Sequence, residues 1–290
     1  MINMDILPKI LIEADKNQEI SLFSNFLNHP EFPGHRKMIL QVFPNLKKII
    51  ESGENEKKAV TKFVDQFYSK HNIDISSAIK ESTEEMKESP KVLRALGEAM
   101  EYSWPENVTY IAIPTILPFS PFNGNTFYFS ILGRITKKEK KNVLMVAIHE
   151  ISHFIFFEML KEIENTEQIS LNFNTRHYLK ESLTAAIFNE EPLRSSLKIK
   201  DDYLGNPEIR DIHIKGQESP VKSIVEYIRE KYTESKNNDI KFTDFLKDII
   251  LSFNRLSEKF SKKRQIWNQC GKELFKNEIT LADYKQPMEV

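Results

Sequence analysis

The sequence has only one cysteine, Cys270, in 290 residues. A single thiol can form neither an intrachain disulfide nor a cysteine-based zinc site, and it is typical of a reducing compartment. Thiol chemistry is therefore disfavoured. The chain must rely on a hydrophobic core, and its length and 40% apolar content are sufficient to build one.

The sequence also lacks an excess of charge and a long apolar run. The 41 basic and 42 acidic residues give a formal net charge of -1, so no general attraction to nucleic acid or anionic membrane is indicated. The first residues contain no long apolar segment before a small-residue cleavage site, and no window has about 18 uninterrupted apolar residues. We therefore predict a cytoplasmic protein with no nucleic-acid partner and no membrane partner. The oligomeric state stays open.

Glycine is scarce, with 8 residues that stand apart from one another, and this disfavours a phosphate-binding loop or a dinucleotide fingerprint. Long Lys- and Glu-rich segments of helical period predict a mainly helical α+β fold. One such helix is expected from about Glu54 to His71, and another from Ser89 with Pro90 in its first turn. We predict a helical N-terminal lobe (1–104), a core (105–215) and a helical C-terminal lobe (216–290), packed on one another.

Two segments in the middle of the chain favour β-strands. "VTYIAIPTILPF" begins at Val108 and "NGNTFYFSILG" begins at Asn123, and both are rich in β-branched and aromatic residues. Prolines interrupt this region, and proline is tolerated mainly at strand ends and sheet edges. We therefore predict a small β-sheet in which at least one of these segments lies at an edge.

Helix boundaries are predicted from capping patterns. Thr136 to Glu139 reads "TKKE", a capping box that is expected to begin an apolar helix. A second short helix is expected in "TRHYLKESLTAAIFNEE", which Pro192 helps to terminate. Ser219 with Pro220 is expected to open a third helix, and "TDFLKDIILSFNRLSEKF" predicts a fourth.

The apolar helix carries two histidines and a glutamate in its middle, at His149, Glu150 and His153. Residues four apart lie about 40° apart around a helix and about 6 Å along it, so the two imidazoles project side by side. Glu150 flanks the pair, where its carboxylate can accept a proton from water held on a metal. This His-Glu-x-x-His spacing is the motif of zinc-dependent peptidases.

A tetrahedral ion needs one further protein ligand and an open position. Position 159 is methionine, so a third histidine six residues after His153 is absent. Glu181 lies on the next predicted helix, at a separation that allows an antiparallel return. We predict Glu181 as the third ligand.

Other residues compete for this role. His177 precedes Glu181 by one turn and is an alternative ligand or a donor that supports one. The remaining acids on these helices are predicted to point away or to lie at exposed ends; they are Glu158, Glu162, Glu190 and Glu191.

With two histidines and a glutamate from a following helix, residues 107–191 resemble the gluzincin class of metallopeptidases, such as the thermolysin-like enzymes and their compact relatives. In that class a β-sheet precedes the active-site helix, and its edge strand binds the substrate backbone. The resemblance therefore implies a zincin-like core in which the segment Asn123–Ile131 lines the cleft. Its candidate substrate-binding residues are Asn125, Thr126, Phe127 and Tyr128. The alternation predicts that Phe127, Phe129 and Ile131 face the core, although an ordinary hairpin strand would show the same pattern.

The sequence departs from the thermolysin-like pattern at one position. Those enzymes carry an aspartate four residues after the ligand glutamate, where it orients a histidine, and here the residue is Ala185. Thr184 is a candidate to take part of this task for His149. Gluzincins also take an oxyanion donor from a downstream tyrosine or histidine, and the candidates here are Tyr203 and His213.

These features predict a zinc-dependent metallopeptidase with one Zn²⁺ per chain, Glu150 as general base and a peptide or protein substrate. Manganese, cobalt or iron would tolerate the same ligands. Two alternatives stay open. One is a catalytically inactive, metal-stabilised binding or regulatory protein that acts through its helical lobes. The other is a helical interaction protein in which the motif arose by chance.

Overall fold

The fold was analysed in a computed structural model, which describes residues 6–30, 33–138, 142–215, 220–270 and 284–290. The helices in these residues are α1 (Lys16–Leu27), α2 (Pro33–Val42), α3 (Pro44–Glu51), α4 (Glu56–Lys70), α5 (Asn72–Met86), α6 (Ser89–Ala99), α7 (Leu132–Ile135), α8 (Val143–Glu167), α9 (Phe173–Phe188), α10 (Leu193–Ser196), α11 (Ile224–Asn237), α12 (Phe242–Asn254) and α13 (Ser257–Cys270). The strands are β1 (Lys9–Ile12), β2 (Thr109–Thr115), β3 (Phe122–Asn123), β4 (Thr126–Ser130), β5 (His213–Lys215), β6 (Val221–Ser223) and β7 (Met288–Glu289). The predicted fold class, mainly helical α+β with a small β component, is confirmed.

A four-stranded mixed sheet has the order β1-β2-β4-β3. The first three strands in this order are parallel, and β3 pairs antiparallel with β4. Side chains alternate along β4, so Phe127, Phe129 and Ile131 are buried while Thr126 and Ser130 are half-buried. This confirms the face assigned to the three apolar residues. The strands formed by the two predicted segments, β2 and β4, are both inner strands, so the edge position expected for one of them is wrong; the edges of the sheet are β1 and β3.

A second sheet has three strands in the order β6-β5-β7. The pairing is antiparallel between β5 and β6 and parallel between β5 and β7, which comes from the end of the chain. Both this sheet and β1 lie partly in segments for which only helices were expected. Strands of two to four residues carry too little periodicity to be detected, and their pairing partners are distant in sequence.

The chain divides into two compact units. One comprises residues 7–90 and 105–150 and contains the four-stranded sheet with α1 to α5 and α7. The other comprises 1–6, 91–104 and 151–290 and contains the three-stranded sheet with α9 to α13. The division falls within the continuous helices α6 and α8, and the three sequence-based lobes stay a prediction.

The apolar stripe expected in the first half of the chain is present in α4. Val60, Phe63 and Val64 are buried, and Phe67 is half-buried beside them. The helix begins after Asn55, whose side chain accepts hydrogen bonds from the backbone N–H groups of the first turn. The helical period of the sequence therefore placed this element correctly to within two residues at its start.

The start of α8 differs from the prediction. Thr136 ends α7, and its hydroxyl donates to Leu132 O, while Glu139 lies outside the described residues. The helix begins at Val143, whose N–H donates to a Glu85 carboxylate oxygen at 2.9 Å. Asn142 Oδ1 accepts from Met145 N–H at 3.0 Å. A distant carboxylate thus supplies part of the cap that the local capping box was expected to provide.

Two C-terminal helices also differ from their predicted bounds. Ser219 lies outside the described residues, and α11 begins after Ser223, which forms a capping box with Glu226. The segment expected to form one helix from Thr243 is divided between α12 and α13, with the break at Arg255 and Leu256.

Candidate metal centre

Helix α8 carries the His-Glu-x-x-His motif. It is long and apolar enough to cross a membrane by length and composition, but 67% of its most apolar window is buried inside the protein, as in the core helix of a globular domain. Ile148, Ile151 and Ile155 are fully buried on this helix. The motif is therefore surrounded by apolar side chains, where polar groups require partners.

The side chains of His149, His153 and Glu181 converge. Each offers one ligand atom, and the three atoms lie within 4.8 Å of one another. His149 is half-buried, whereas His153 is 1% exposed and Glu181 is 6% exposed. Two imidazole nitrogens and one carboxylate oxygen at this separation form a donor set that can hold a single ion.

Glu150 follows His149 on the same helix and is also buried, with 6% of its surface exposed. Successive residues on a helix point about 100° apart, so Glu150 leaves the helix on a face next to that of the two histidines. Glu150 is not among the grouped ligand residues.

Glu181 lies on helix α9. The helix begins after Asn172, whose side chain accepts from Thr175 N–H at 2.8 Å. Most of its residues from Thr175 to Phe188 are buried. A helix enclosed on nearly all sides must place its charged residues next to partners, and Glu181 meets this requirement beside the motif.

Lys180 is a buried cation in contact with the group, and it was not identified from the sequence. It is 8% exposed, and its Nζ contacts Glu181 Oε1 and lies 3.3 Å from His153 Nδ1. The signal in the sequence was the lysine itself, which directly precedes the candidate ligand Glu181. Its contacts depend on the packing of α9 against α8, which no local pattern encodes.

Thr184 forms a buried hydrogen bond with Ser152, and its predicted part in orienting His149 stays a prediction. Its Oγ1 lies 2.7 Å from Ser152 Oγ, and both residues are buried. Thr184 therefore links α9 to α8 next to His153.

Ala185 has a packing reason for its small size. Gly205 lies against it with φ +60°, and a Cβ at position 205 would be 3.1 Å from Ala185 Cβ and 3.9 Å from Glu181 O. Ala185 therefore packs closely against this loop, and a Cβ at position 205 would be strained both by this contact and by the positive φ.

His177 lies in a buried cluster with Glu208 and Arg264 and is not in the His149–His153–Glu181 group, so its role as an alternative ligand or supporting donor stays a prediction. Its Nε2 lies 3.1 Å from Glu208 Oε2 and 3.0 Å from Arg264 Nη1, and Arg264 also pairs with Glu208. Tyr178 donates to Glu208 Oε1 at 2.7 Å.

Burial lowers the pKa of His177, although its hydrogen bond to Glu208 opposes this effect. Burial alone would raise the pKa of Glu208, but His177 and Arg264 outweigh it and hold that pKa below its usual value.

The two candidate oxyanion donors have other contacts. The Tyr203 ring packs on Phe188 with 4.9 Å between ring centroids, and its backbone bonds with the Asn189 side chain. His213 lies in β5, where its Nδ1–H donates to Asp211 O at 2.9 Å. Neither residue is in the His149–His153–Glu181 group. Their role in stabilising an oxyanion stays a prediction.

The segment predicted to be a substrate-binding edge is an inner strand. Thr126 and Phe127 pair with β2 on one side and β3 on the other, and Tyr128 N–H donates to Pro121 O at 2.8 Å. Asn125 is exposed, and its side chain donates to Thr109 O. The prediction of a free edge is wrong because the chain reverses at Gly124, φ +58°, and folds β3 back onto β4. Burial and the negative charge of Glu19 raise the pKa of Tyr128.

The competing acids have partners or positions outside the cluster. Glu158 accepts from Tyr102 OH, Glu190 pairs with Arg229, and Glu191 accepts from Ser195 N–H. Glu162 is exposed on α8. None of the four acids is in the His149–His153–Glu181 group.

Comparisons of the chain with protein-family models, with curated proteins and with solved structures gave no match.

Proposed function

We propose that this chain is a zinc-dependent metallopeptidase in which His149, His153 and Glu181 hold the ion and Glu150 is the general base. The observation that carries this proposal is the convergence of three ligand atoms within 4.8 Å, with a buried carboxylate beside them. Two of the three ligands and the base come from one five-residue motif. The third comes from the helix that follows it.

The donor set suits zinc. Two neutral imidazoles and one carboxylate leave an ion with one net positive charge and one open position, which is the arrangement of catalytic zinc sites. The site also lies in a low-dielectric environment, because His153 and Glu181 are buried. Other divalent metals accept the same ligands, so metal analysis must decide the identity.

When bound, zinc would polarise the scissile carbonyl and lower the pKa of water towards about 7. The residues of the chain would do the proton transfer. Glu150 would accept a proton from the attacking water at its carboxylate and then donate it to the leaving amine nitrogen. Its burial restricts the orientation of the carboxylate and keeps bulk water from competing for the proton.

A gluzincin-type arrangement is part of this proposal. It is supported by the order of elements, since β2, β3 and β4 precede α8 and the glutamate ligand comes from α9. The substrate would be a peptide or protein, and the protein would act in the cytoplasm. The inner position of β4 leaves the surface that binds the substrate backbone to be identified by experiment.

A second candidate function is a catalytically inactive, metal-stabilised binding or regulatory protein. Burial favours it, because three of the four side chains, Glu150, His153 and Glu181, are less than a tenth exposed. Structural zinc sites are closed, whereas catalytic sites keep an open position for substrate. Both functions include a bound metal ion, but only the peptidase cleaves a peptide substrate.

The test uses the whole chain, Glu150→Gln and a matched control, Glu162→Gln, which makes the same substitution at an exposed position of α8. Each protein is analysed for bound metal and then incubated with a peptide library that is read by mass spectrometry. The peptidase proposal expects about one zinc per chain in all three proteins. Cleavage should fall at least about a hundredfold in Glu150→Gln only, because a general base contributes that much or more.

Other outcomes separate the alternatives. Cleavage by Glu150→Gln at the rate of the unmodified chain would refute the assigned base. Zinc binding without cleavage of any peptide would support the structural metal. Absence of metal from all three proteins would leave the motif without a function in metal binding.

A further inference from the structure

Lys180 contacts two of the three candidate metal ligands, Glu181 and His153. Its Nζ contacts Glu181 Oε1 and lies 3.3 Å from His153 Nδ1. The side chain is enclosed, with 10% of its surface exposed, and the paired Glu181 side chain is 8% exposed. A buried ammonium thus already neutralises the carboxylate that the proposed ion requires.

The contact with Glu181 depends on the length of the lysine side chain. Lys180 and Glu181 are adjacent on α9, and adjacent helical side chains point about 100° apart. The four-carbon chain of Lys180 must therefore bend round the helix to reach Glu181. A contact made in this way can be released by side-chain rotation alone, with no change in the helix backbone.

The contact with His153 determines the position of the imidazole proton. A lysine ammonium has three donors and no acceptor, so His153 Nδ1 must accept and the ring proton must be on Nε2. In this tautomer neither nitrogen can bind a metal, because one accepts from Lys180 and the other carries the proton. Ligation through Nε2 moves the proton to Nδ1, and an ammonium cannot accept from it.

The positive charge of Lys180 also opposes metal binding. A divalent cation bound to His153 and Glu181 would lie close to the Lys180 ammonium, which contacts both side chains. Like charges at this range repel strongly in a buried site. Metal binding and the observed Lys180 position therefore exclude each other.

We propose that Lys180 is an internal competitor of the metal: its ammonium contacts His153 and Glu181 and must withdraw from both when an ion binds. This inference rests on the proposed metal site and adds a means by which the chain sets its own metal affinity. Lys180 acts through the ligands and is not itself a ligand or a catalytic residue.

The test measures zinc affinity by competition with a chromophoric chelator. Three variants are compared with the unmodified chain. Lys180→Met removes the charge at similar length, Lys180→Gln keeps a neutral donor in case the methionine variant does not fold, and Lys161→Met makes the same change at an exposed lysine of α8. We expect both Lys180 variants to bind zinc at least about tenfold more tightly than the unmodified chain, and Lys161→Met to bind with unchanged affinity.

Thermal unfolding in the presence of a chelator gives a second measurement. Without metal, Lys180→Met leaves the Glu181 carboxylate without this counter-charge, so its melting temperature should fall. Zinc should raise the melting temperature of this variant by more than it raises that of the unmodified chain.

The results distinguish failure of this inference from failure of the proposed function. Equal or weaker zinc affinity in the Lys180 variants, with zinc binding by the unmodified chain, overturns the inference alone. If the Lys180 variants bind zinc and the unmodified chain does not, the result supports Lys180 as a competitor of the metal. The same result overturns the proposal that the unmodified chain is a zinc-dependent peptidase. Absence of binding in every protein overturns both.

Discussion

Ser152 Oγ and Thr184 Oγ1 lie 2.7 Å apart where α8 packs on α9. One hydroxyl precedes His153 by a single residue, and the other follows Glu181 by three. This hydrogen bond is buried at both ends, so it fixes the two ligand-bearing helices relative to each other close to the candidate metal centre.

Thr184→Val keeps the shape of the side chain and removes the hydroxyl that pairs with Ser152. We expect a loss of about 1–3 kcal/mol in the free energy of unfolding, because the buried Ser152 hydroxyl loses this partner. Urea unfolding of the metal-free protein provides the measurement. The double variant Ser152→Ala/Thr184→Val should lose less than the sum of the two single changes, and strict additivity would show that the hydroxyls do not interact.

Zinc should stabilise the folded chain through the three ligands. At a free concentration one hundred times its Kd, the ion should add about 2.7 kcal/mol to the free energy of unfolding. His153→Ala and Glu181→Ala should each abolish this increment, whereas His71→Ala, which changes a histidine at the end of α4, should keep it. Denaturant titrations with zinc and with a chelator give the comparison. The same increment in His153→Ala and the unmodified chain would place the ion elsewhere.

Glu19 predicts a specific dependence of stability on pH. Burial raises its pKa to about 7 although Thr115, Ile116 and Tyr68 donate hydrogen bonds to it. The usual value of 4.5 applies when the chain is unfolded, so between pH 4.5 and about 7 the folded state keeps a proton that the unfolded state has lost. Its contribution therefore makes the protein less stable as pH rises through this window, by about 1.4 kcal/mol per pH unit, and levels off above it.

Glu19→Gln should remove this slope, because the amide stays neutral at every pH. The unfolding free energies of the variant and the unmodified chain, measured from pH 4.5 to 8, should diverge in favour of the variant as pH rises. Parallel curves would show that Glu19 does not carry the raised pKa. Comparison of the two proteins cancels the contributions of all other titrating groups.

Glu208 is the acceptor for an imidazole, a guanidinium and a phenol in the interior. Its carboxylate bonds with His177, Arg264 and Tyr178, and its backbone carbonyl accepts from Tyr284 OH at 2.6 Å. Glu208→Gln leaves the buried Arg264 guanidinium without this negative charge, which should cost about 3–5 kcal/mol in the free energy of unfolding. Circular dichroism during urea unfolding measures the loss. The double variant Glu208→Gln/Arg264→Met should recover part of it, and no recovery would contradict the pairing.

Some features of the candidate centre follow from local sequence, and others do not. The alignment of His149 with His153 is a property of the helical period, and Glu181 lies on the next predicted helix. Lys180, Glu208 and Arg264 were missed because their partners are brought near by the packing of α8, α9 and α13. The free edge predicted for Thr126–Tyr128 was wrong for a similar reason, since pairing with Phe122 depends on a reversal at Gly124 and not on the strand itself.

The sequence alone determined that the chain is mainly helical with small sheets, and that two imidazoles and a carboxylate share one helix turn. These properties depend on composition and on periods of two and 3.6 residues, which are local. Only the tertiary structure decided that Glu181 meets the histidines, that Lys180 meets them as well, and that β1 joins β2 in a parallel sheet. Those contacts join residues far apart along the chain, and close packing fixes them through all the side chains around them at once.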